Sequence, residues 1–314
     1  MTHTLYSNES TTIEGDAWHE LRATTIGGSE IAGLFDLQQP YQLSRYGLWA
    51  VKSKLARDEF DGNERTTWGQ RLEAAIAQGA AEDNGWTIRK GGYFTDPTTR
   101  GLGATLDYII LTSPEHTTPG ALEVKNVDGL VFRDKWVDGE PPEHILLQLQ
   151  HQLAASGFAW GVIVALVNGN EMHTYEYAAR EGIISQIRER VTEFWSLVDS
   201  GTPPEIDGED TTTAILKAMS EPVRYETEDM SADAEFAEIC AGYLRTKAAE
   251  KNAAEEHAVY KNLLFEKAGS FKKAEGGGFR VTQVIKSDTP DRVAKPGEII
   301  SGRKGGRHFL VKEV

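Results

Sequence analysis

Two carboxylates and an ammonium lie within nineteen residues of one another. Asp107 stands in the apolar run 105–111, and Glu123 and Lys125 flank Val124 at the end of the run 121–124. Between the runs lies a turn rich in Pro and Gly, so the pair reads as a β-hairpin or two neighbouring strands. Side chains alternate along a strand, which puts Glu123 and Lys125 on one face and Val124 on the other, toward the core. Carboxylate oxygens at a strand end suit Mg²⁺, with Mn²⁺ as a substitute. A divalent ion there activates water as a nucleophile at neutral pH, and a neighbouring lysine can orient it. The same three residues also make an ordinary salt bridge on a hairpin, which is the commoner use of so short a pattern.

Other residues stand at suggestive positions around this trio. Residues 16–36 begin with a short helical pattern and continue through Ile26-Gly27-Gly28-Ser29-Glu30 into a second short helix. Ser29 is a good N-cap residue, and with Arg22 upstream the helix start offers an anion site. Residues 68–84 form an Ala-rich helix, with Glu73 beside the apolar stripe of Leu72, Ala75, Ile76 and Ala80. Residues 143–158 form another helix through Leu146, Leu149 and Leu153, on which Gln148 and Gln152 share a face. Gln150 points away from both.

The remaining elements frame these positions. Residues 41–57 read as a helix, 86–94 as a strand and 128–140 as a polar loop. The run 160–167 reads as a buried central strand, followed after an Asn-Gly-Asn turn by an alternating strand. Residues 180–199 form an amphipathic helix, and Thr202-Pro203-Pro204 is the expected domain boundary. Beyond it, 211–219 is a short helix, 231–268 is one long helix or an αα-hairpin, and two β segments close the chain.

Composition narrows the class. The chain has 314 residues, 39% of them hydrophobic, with seven Trp, enough for a real core. No apolar run reaches 18 residues, so no membrane helix is expected. The first ten residues lack the basic and apolar regions of a secretory leader, which makes the cytoplasm the simplest expected location. A single cysteine, Cys240, excludes a disulfide framework and a Cys-rich zinc site, and is expected to be buried. No histidine pair has H-E-x-x-H spacing, His151 reads as a core or surface residue, and Gly276–Gly278 lacks the Lys-Ser/Thr of a P-loop. The net charge of −15 argues against a protein that merely coats nucleic acid. Residues 270–314, however, hold 10 Lys and Arg against 5 Asp and Glu, so a basic tail offers a local grip on DNA.

The joint order of Arg22, I-G-G-S-E, Glu73, Asp107, Glu123-x-Lys125 and Q-L-Q resembles the YqaJ-type viral recombinase family over residues 16–200. That family is similar to phage lambda exonuclease, within the PD-(D/E)XK nuclease superfamily. The resemblance implies an α/β fold with a restriction-endonuclease-like core, a mixed central sheet flanked by helices. It implies a nuclease domain over 1–203 and a C-terminal extension over 204–314, with a long helix and a small basic β tail. The implied activity is 5′→3′ digestion of one strand of linear double-stranded DNA to give 3′ overhangs for recombination. Asp107, Glu123 and the backbone carbonyl of Val124 would bind Mg²⁺, with Glu73 an outer ligand. Lys125 would position or activate the attacking water, Gln148 would orient the water or the lysine, and Arg22 and Ser29 would hold a 5′-phosphate at the helix N-terminus. The resemblance further implies DNA ends as substrate, a single-strand annealing protein as partner, a ring-shaped homo-oligomer such as a trimer, and a phage or prophage origin in a bacterial cytoplasm. The chain departs from the family in carrying Glu30 where Asp is usual, and Leu106-Asp107-Tyr108 in place of Pro-Asp-Gly. An endonuclease or nickase of the same fold, or a catalytically silent DNA-binding protein, are the alternatives.

Overall fold

The computed structural model describes residues 6–10, 16–57, 62–220, 228–285, 287–288, 292–295, 298–300 and 307–313. They fall in two compact units, divided between Val223 and Arg224. The first unit runs in the order β1 (Glu9–Ser10), α1 (Asp16–Ala23), α2 (Ile31–Leu34), α3 (Arg45–Lys52), α4 (Glu64–Asn84), β2 (Thr87–Lys90), β3 (Tyr93–Thr95), β4 (Gly103–Thr105), β5 (Tyr108–Thr112) and β6 (Gly120–Val127). It continues through α5 (Gly129–Lys135), α6 (Glu143–Ser156), β7 (Trp160–Val167), β8 (Glu171–Ala178), α7 (Glu181–Ser200) and α8 (Asp210–Met219).

A five-stranded sheet of order β2-β5-β6-β7-β8 forms the centre. Only β6 and β7 pair in parallel, so the sheet is mixed. The parallel step needs a crossover, and α5 and α6 supply it. Alternation on β6 sorts its side chains between two layers. Leu122 and Val124 pack with Ile76, Ala77 and Ala80 of α4. Ala121 packs with Leu149 and Leu153 of α6 in the larger core. The sheet is thus sandwiched between helices, as the family resemblance implied.

The runs expected as single strands at 86–94 and 105–111 are each broken. Both break at the same level, where the two-stranded ribbon leaves the central sheet for a small sheet of order β1-β3-β4. Gly91 and Gly92 permit this. A Cβ on Gly91 would stand 2.3 Å from the Leu106 carbonyl oxygen, and one on Gly92 would stand 2.4 Å from that of Ser10. Leu106 donates its N–H to Gly92 O, and Gly91 donates to Asp107 O. Asp107 therefore sits at the bend, between strands of different sheets.

Several boundaries differ from the sequence expectation. The helix expected over 41–57 is α3 alone, because the Ser44 side chain caps it by accepting from Gly47 N. The expected loop at 128–140 contains α5, capped by Asp128, whose carboxylate accepts from Leu130 N and Val131 N. Helix α8 belongs to the first unit. Its Thr212 is buried and hydrogen-bonds Ser44 Oγ at 2.8 Å. On α4, Ala77 is buried where Ala75 was expected, and Ala75 is exposed.

In the second unit, residues 234–268 form one continuous helix, α9 (Ala234–Ala268), capped by Asp233. It is followed by β9 (Lys273–Gly276), β10 (Phe279–Ile285), β11 (Arg292–Lys295), β12 (Glu298–Ile300) and β13 (Arg307–Glu313). Phe236, Ile239, Tyr243 and Leu244 are exposed on α9. Cys240 is exposed too, contrary to expectation, because it lies on this uncovered helix. Among the described residues no helix is long and apolar enough to cross a membrane.

One contact in the first unit gives a stability prediction. Gly101 has φ +80°, and a Cβ there would lie 2.0 Å from Trp195 Nε1, which donates to Gly101 O at 3.1 Å. Gly101→Ala combines left-handed strain with a clash against a buried indole. It is expected to cost about 2–4 kcal/mol and lower the melting temperature by ~5–10 °C in a thermal scan.

Candidate active site

Glu123 is the buried centre of the site, with a side chain 2% exposed. Its Oε1 accepts from Lys125 Nζ at 2.5 Å and from Gln148 Nε2 at 2.6 Å. Its Oε2 accepts from Gln152 Nε2 at 2.5 Å. A carboxylate this deep needs donors at both oxygens. Helix α6 supplies two of them, four residues apart on one face. Lys125 Nζ also donates to Gln148 Oε1 at 3.1 Å, so Gln148 bridges the acid and the lysine.

Asp107 approaches from the sheet bend. Its Oδ2 accepts from Val124 N at 2.9 Å, which ties it to the backbone between Glu123 and Lys125. Among the described residues no donor reaches its other oxygen. Burial pushes the Asp107 carboxyl well above its usual range, and the neighbouring Glu123 and Glu73 push it further; Lys125 and Val124 N–H only partly offset them. Burial opposes the charge on Lys125, but Glu123 and Asp107 outweigh it and hold the ammonium above its ordinary pKa.

Glu73, half-buried on α4, is paired with Lys90 of β2. Helix α4 packs on the Val124 face of the sheet, opposite the α6 face toward which Glu123 points. The three carboxylates thus do not gather as closely as Glu115, His116 and Glu176, whose ligand atoms lie within 4.8 Å of one another. That second trio stands apart. Glu176 is in register with Val162, on the α4 face of the sheet, and His116 stacks on Trp160 at 3.8 Å.

The donor set around Asp107 and Glu123 nevertheless fits a hard divalent cation. It offers a carboxylate oxygen without a hydrogen-bond donor among the described residues, in a negative field that Lys125 only partly offsets. A cleft of about 510 Å³ opens onto Lys125, lined in part by Tyr41, Arg65, Asn126, Leu130 and His144.

Arg22 and Ser29 do share a cavity, of about 380 Å³, with Glu30, Tyr41 and Gln42. Ser29 is not the cap of α2, however. Glu30 occupies that position without a side-chain cap bond, and its carboxylate folds back to accept from Gly27 N at 2.8 Å. The same carboxylate takes Arg22 Nη2 at 3.3 Å and Lys52 Nζ at 2.9 Å. The anion nearest Arg22 is thus the chain's own.

Residues 17–159 match the sequence profile of the YqaJ-like viral recombinase domain. The match covers 143 of the chain's 314 residues, from 17 to 159. The uncharacterized protein YqaJ of Bacillus subtilis (strain 168) is 26% identical to it over 209 residues, 64% of this chain and 62% of that protein. The crystal structure of LHK-Exo in complex with dAMP superimposes with a TM-score of 0.51 at 19% identity, covering 60% of this chain and 94% of that one. The structure of the alkaline exonuclease LHK-Exo from Laribacter hongkongensis gives 0.50 at 18%, with the same coverage. These likenesses show the fold. The matched segment holds three of the five strands of the mixed sheet, with α4 and α6 packed on its two faces. In it, α6 brings Gln148 and Gln152 onto Glu123, and β6 brings Lys125.

Two neighbours escaped the reading of the sequence. Gln152 had been noted only as sharing a face with Gln148, although four-residue spacing on a helix opposite a buried acid is a usable signal. Lys90 is 17 residues from Glu73 on another element, and nothing in its local sequence marks it. Gln150 instead bonds Ala178 O and Arg180 N, away from the site.

Proposed function

We propose that this chain is a divalent-metal-dependent deoxyribonuclease, a 5′→3′ exonuclease that degrades one strand of linear duplex DNA and leaves 3′ overhangs for phage-type recombination. The convergence of Asp107, Glu123 and Lys125 at one end of the central sheet carries the reading. Mg²⁺, held by Asp107, Glu123 and the Val124 carbonyl with Glu73 outside, would polarise the scissile phosphate and the attacking water. Glu123 is fixed by Gln148 and Gln152 before substrate arrives, so its geometry needs no rearrangement. Glu123 and Asp107 favour the ammonium form of Lys125. It orients the water beside Gln148 and offsets the charge that builds on the phosphate. Attack on the phosphorus breaks the bond to the 3′-oxygen of the terminal nucleotide, which leaves as a 5′-mononucleotide.

Arg22 and Ser29 are proposed to contact a 5′-phosphate at their shared cavity. A ring-shaped homo-oligomer, a single-strand annealing partner and a cytoplasmic setting complete the proposal. The domain division proposed with it assigns 1–203 to the nuclease and 204–314 to the extension.

The test is digestion of linear duplex DNA with or without a 5′-phosphate, in Mg²⁺, Ca²⁺ or EDTA, beside closed circles. Mg²⁺-dependent loss of linear DNA only, faster with the phosphate, is the expected result. A second reading, an endonuclease or nickase of the same fold, draws on the engagement of Arg22 by Glu30, which weakens the case for an end-sensing anion pocket. Cutting of closed circles would establish it. Binding without cleavage under any ion would leave a silent DNA-binding protein.

A further inference from the structure

The site holds two lysines, and the mechanism above uses one. Lys90, the last residue of β2, is the other. The β2–β5 ladder pairs it with Tyr108, the residue after Asp107. Its Nζ stands 4.9 Å from the centroid of the Tyr108 ring and contacts Glu73 Oε1. Gly91, next in the chain, donates to Asp107 O at 3.1 Å. Backbone pairing thus sets Lys90 next to the bend that carries Asp107, and its ammonium contacts Glu73. Burial opposes its charge, and Glu73 and Asp107 outweigh that effect.

We propose that Lys90 is a resident counter-cation: it draws Glu73 away from Asp107 and Glu123 and competes with a divalent ion for that carboxylate. Glu73 then reaches the ion only when Lys90 is displaced. Lys90 is a positioning residue, acting through Glu73. The inference rests on the metal-dependent reading above. It explains why three acids near one strand end do not close into a tight cluster. Removing Lys90 therefore strengthens ion binding.

The experiment is calorimetric titration of the full chain with Mn²⁺ and with Ca²⁺, without DNA. Wild type, Lys90→Met, Lys90→Gln, Lys90→Arg and Asp107→Asn are compared, with circular dichroism confirming the fold of each. Loss of the competing charge should lower Kd by about fivefold in Lys90→Met and Lys90→Gln. Lys90→Arg should bind as wild type does. Adding Glu73→Gln to Lys90→Met should remove the gain, because the competition is for Glu73. Unchanged Kd in both neutral variants, with binding abolished in Asp107→Asn, would overturn the role of Lys90 and leave the metal reading standing. Ion binding indifferent to Asp107→Asn, or absent from wild type at millimolar ion, would overturn the metal reading and this inference with it.

Discussion

Asp107→Asn is expected to lower cleavage of linear duplex DNA by at least ~10³-fold while leaving the protein as stable as before, or more so. The two halves of this result come from one geometry. The substitution keeps the acceptor for Val124 N–H, so the bend between the sheets retains its hydrogen bond. It removes the open, charged oxygen that the proposed ion needs, and a factor of 10³ is about 4 kcal/mol of transition-state stabilisation. The stability half follows from linkage. A carboxyl whose folded pKa is raised binds its proton more tightly when folded, so its ionisation costs stability as pH rises past the unfolded value. Burial, Glu123 and Glu73 raise the Asp107 carboxyl in this way. Asparagine has no such penalty at neutral pH. Nuclease rates and thermal melts on the same preparations check both halves. Lost activity with a lower melting temperature would make Asp107 a structural residue, and full activity would remove it from the mechanism. Lys125→Ala should lose cleavage too, but not DNA binding.

How far the residues announced this arrangement depends on whether the signal was local. Glu123, Val124 and Lys125 follow the period of two, and Val124 does enter the α4 layer while Glu123 faces α6. Helix α6 and the buried strand β7 also follow from local patterning, whereas α5 lies where a loop was expected. The break at Leu106–Asp107 does not. A continuous apolar run carries no mark of a change of sheet, and the marks that exist, Gly91 and Gly92, lie on the partner strand. The pairing of Lys90 with Glu73 was invisible for the same reason, being a contact made only by the β2–β5 register beside α4. At the Ile26–Glu30 turn the residue types suggested an external anion. They were silent on Lys52, which arrives from α3 and makes Glu30 an internal one.

That internal anion should be among the most stabilising charges in the first unit. Lys52 has a side chain only 4% exposed, and besides Glu30 its Nζ donates to Arg22 O at 2.8 Å. Glu30→Ala would leave the ammonium buried with that carbonyl alone and would orphan Gly27 N–H. The expected cost is about 3–5 kcal/mol, because removing one partner of a buried pair leaves the other uncompensated. Lys52→Met combined with Glu30→Gln should recover most of it, since both charges then leave the interior together. The pH dependence has a definite sign. Burial opposes ionisation of Glu30, but Lys52, Arg22 and Gly27 N–H outweigh it and hold its pKa below the usual glutamate range. Its contribution is therefore fully present above the unfolded pKa and is lost as pH falls through the lower, folded one. Urea titrations of wild type and Glu30→Ala between neutral and acid pH would show their stabilities converging at low pH. A Glu30→Ala loss below ~1 kcal/mol, constant with pH, would mean that the carboxylate does not anchor this turn. The engagement of Arg22 by Glu30 would then weigh less against an external phosphate, and the case for end sensing at this cavity would strengthen.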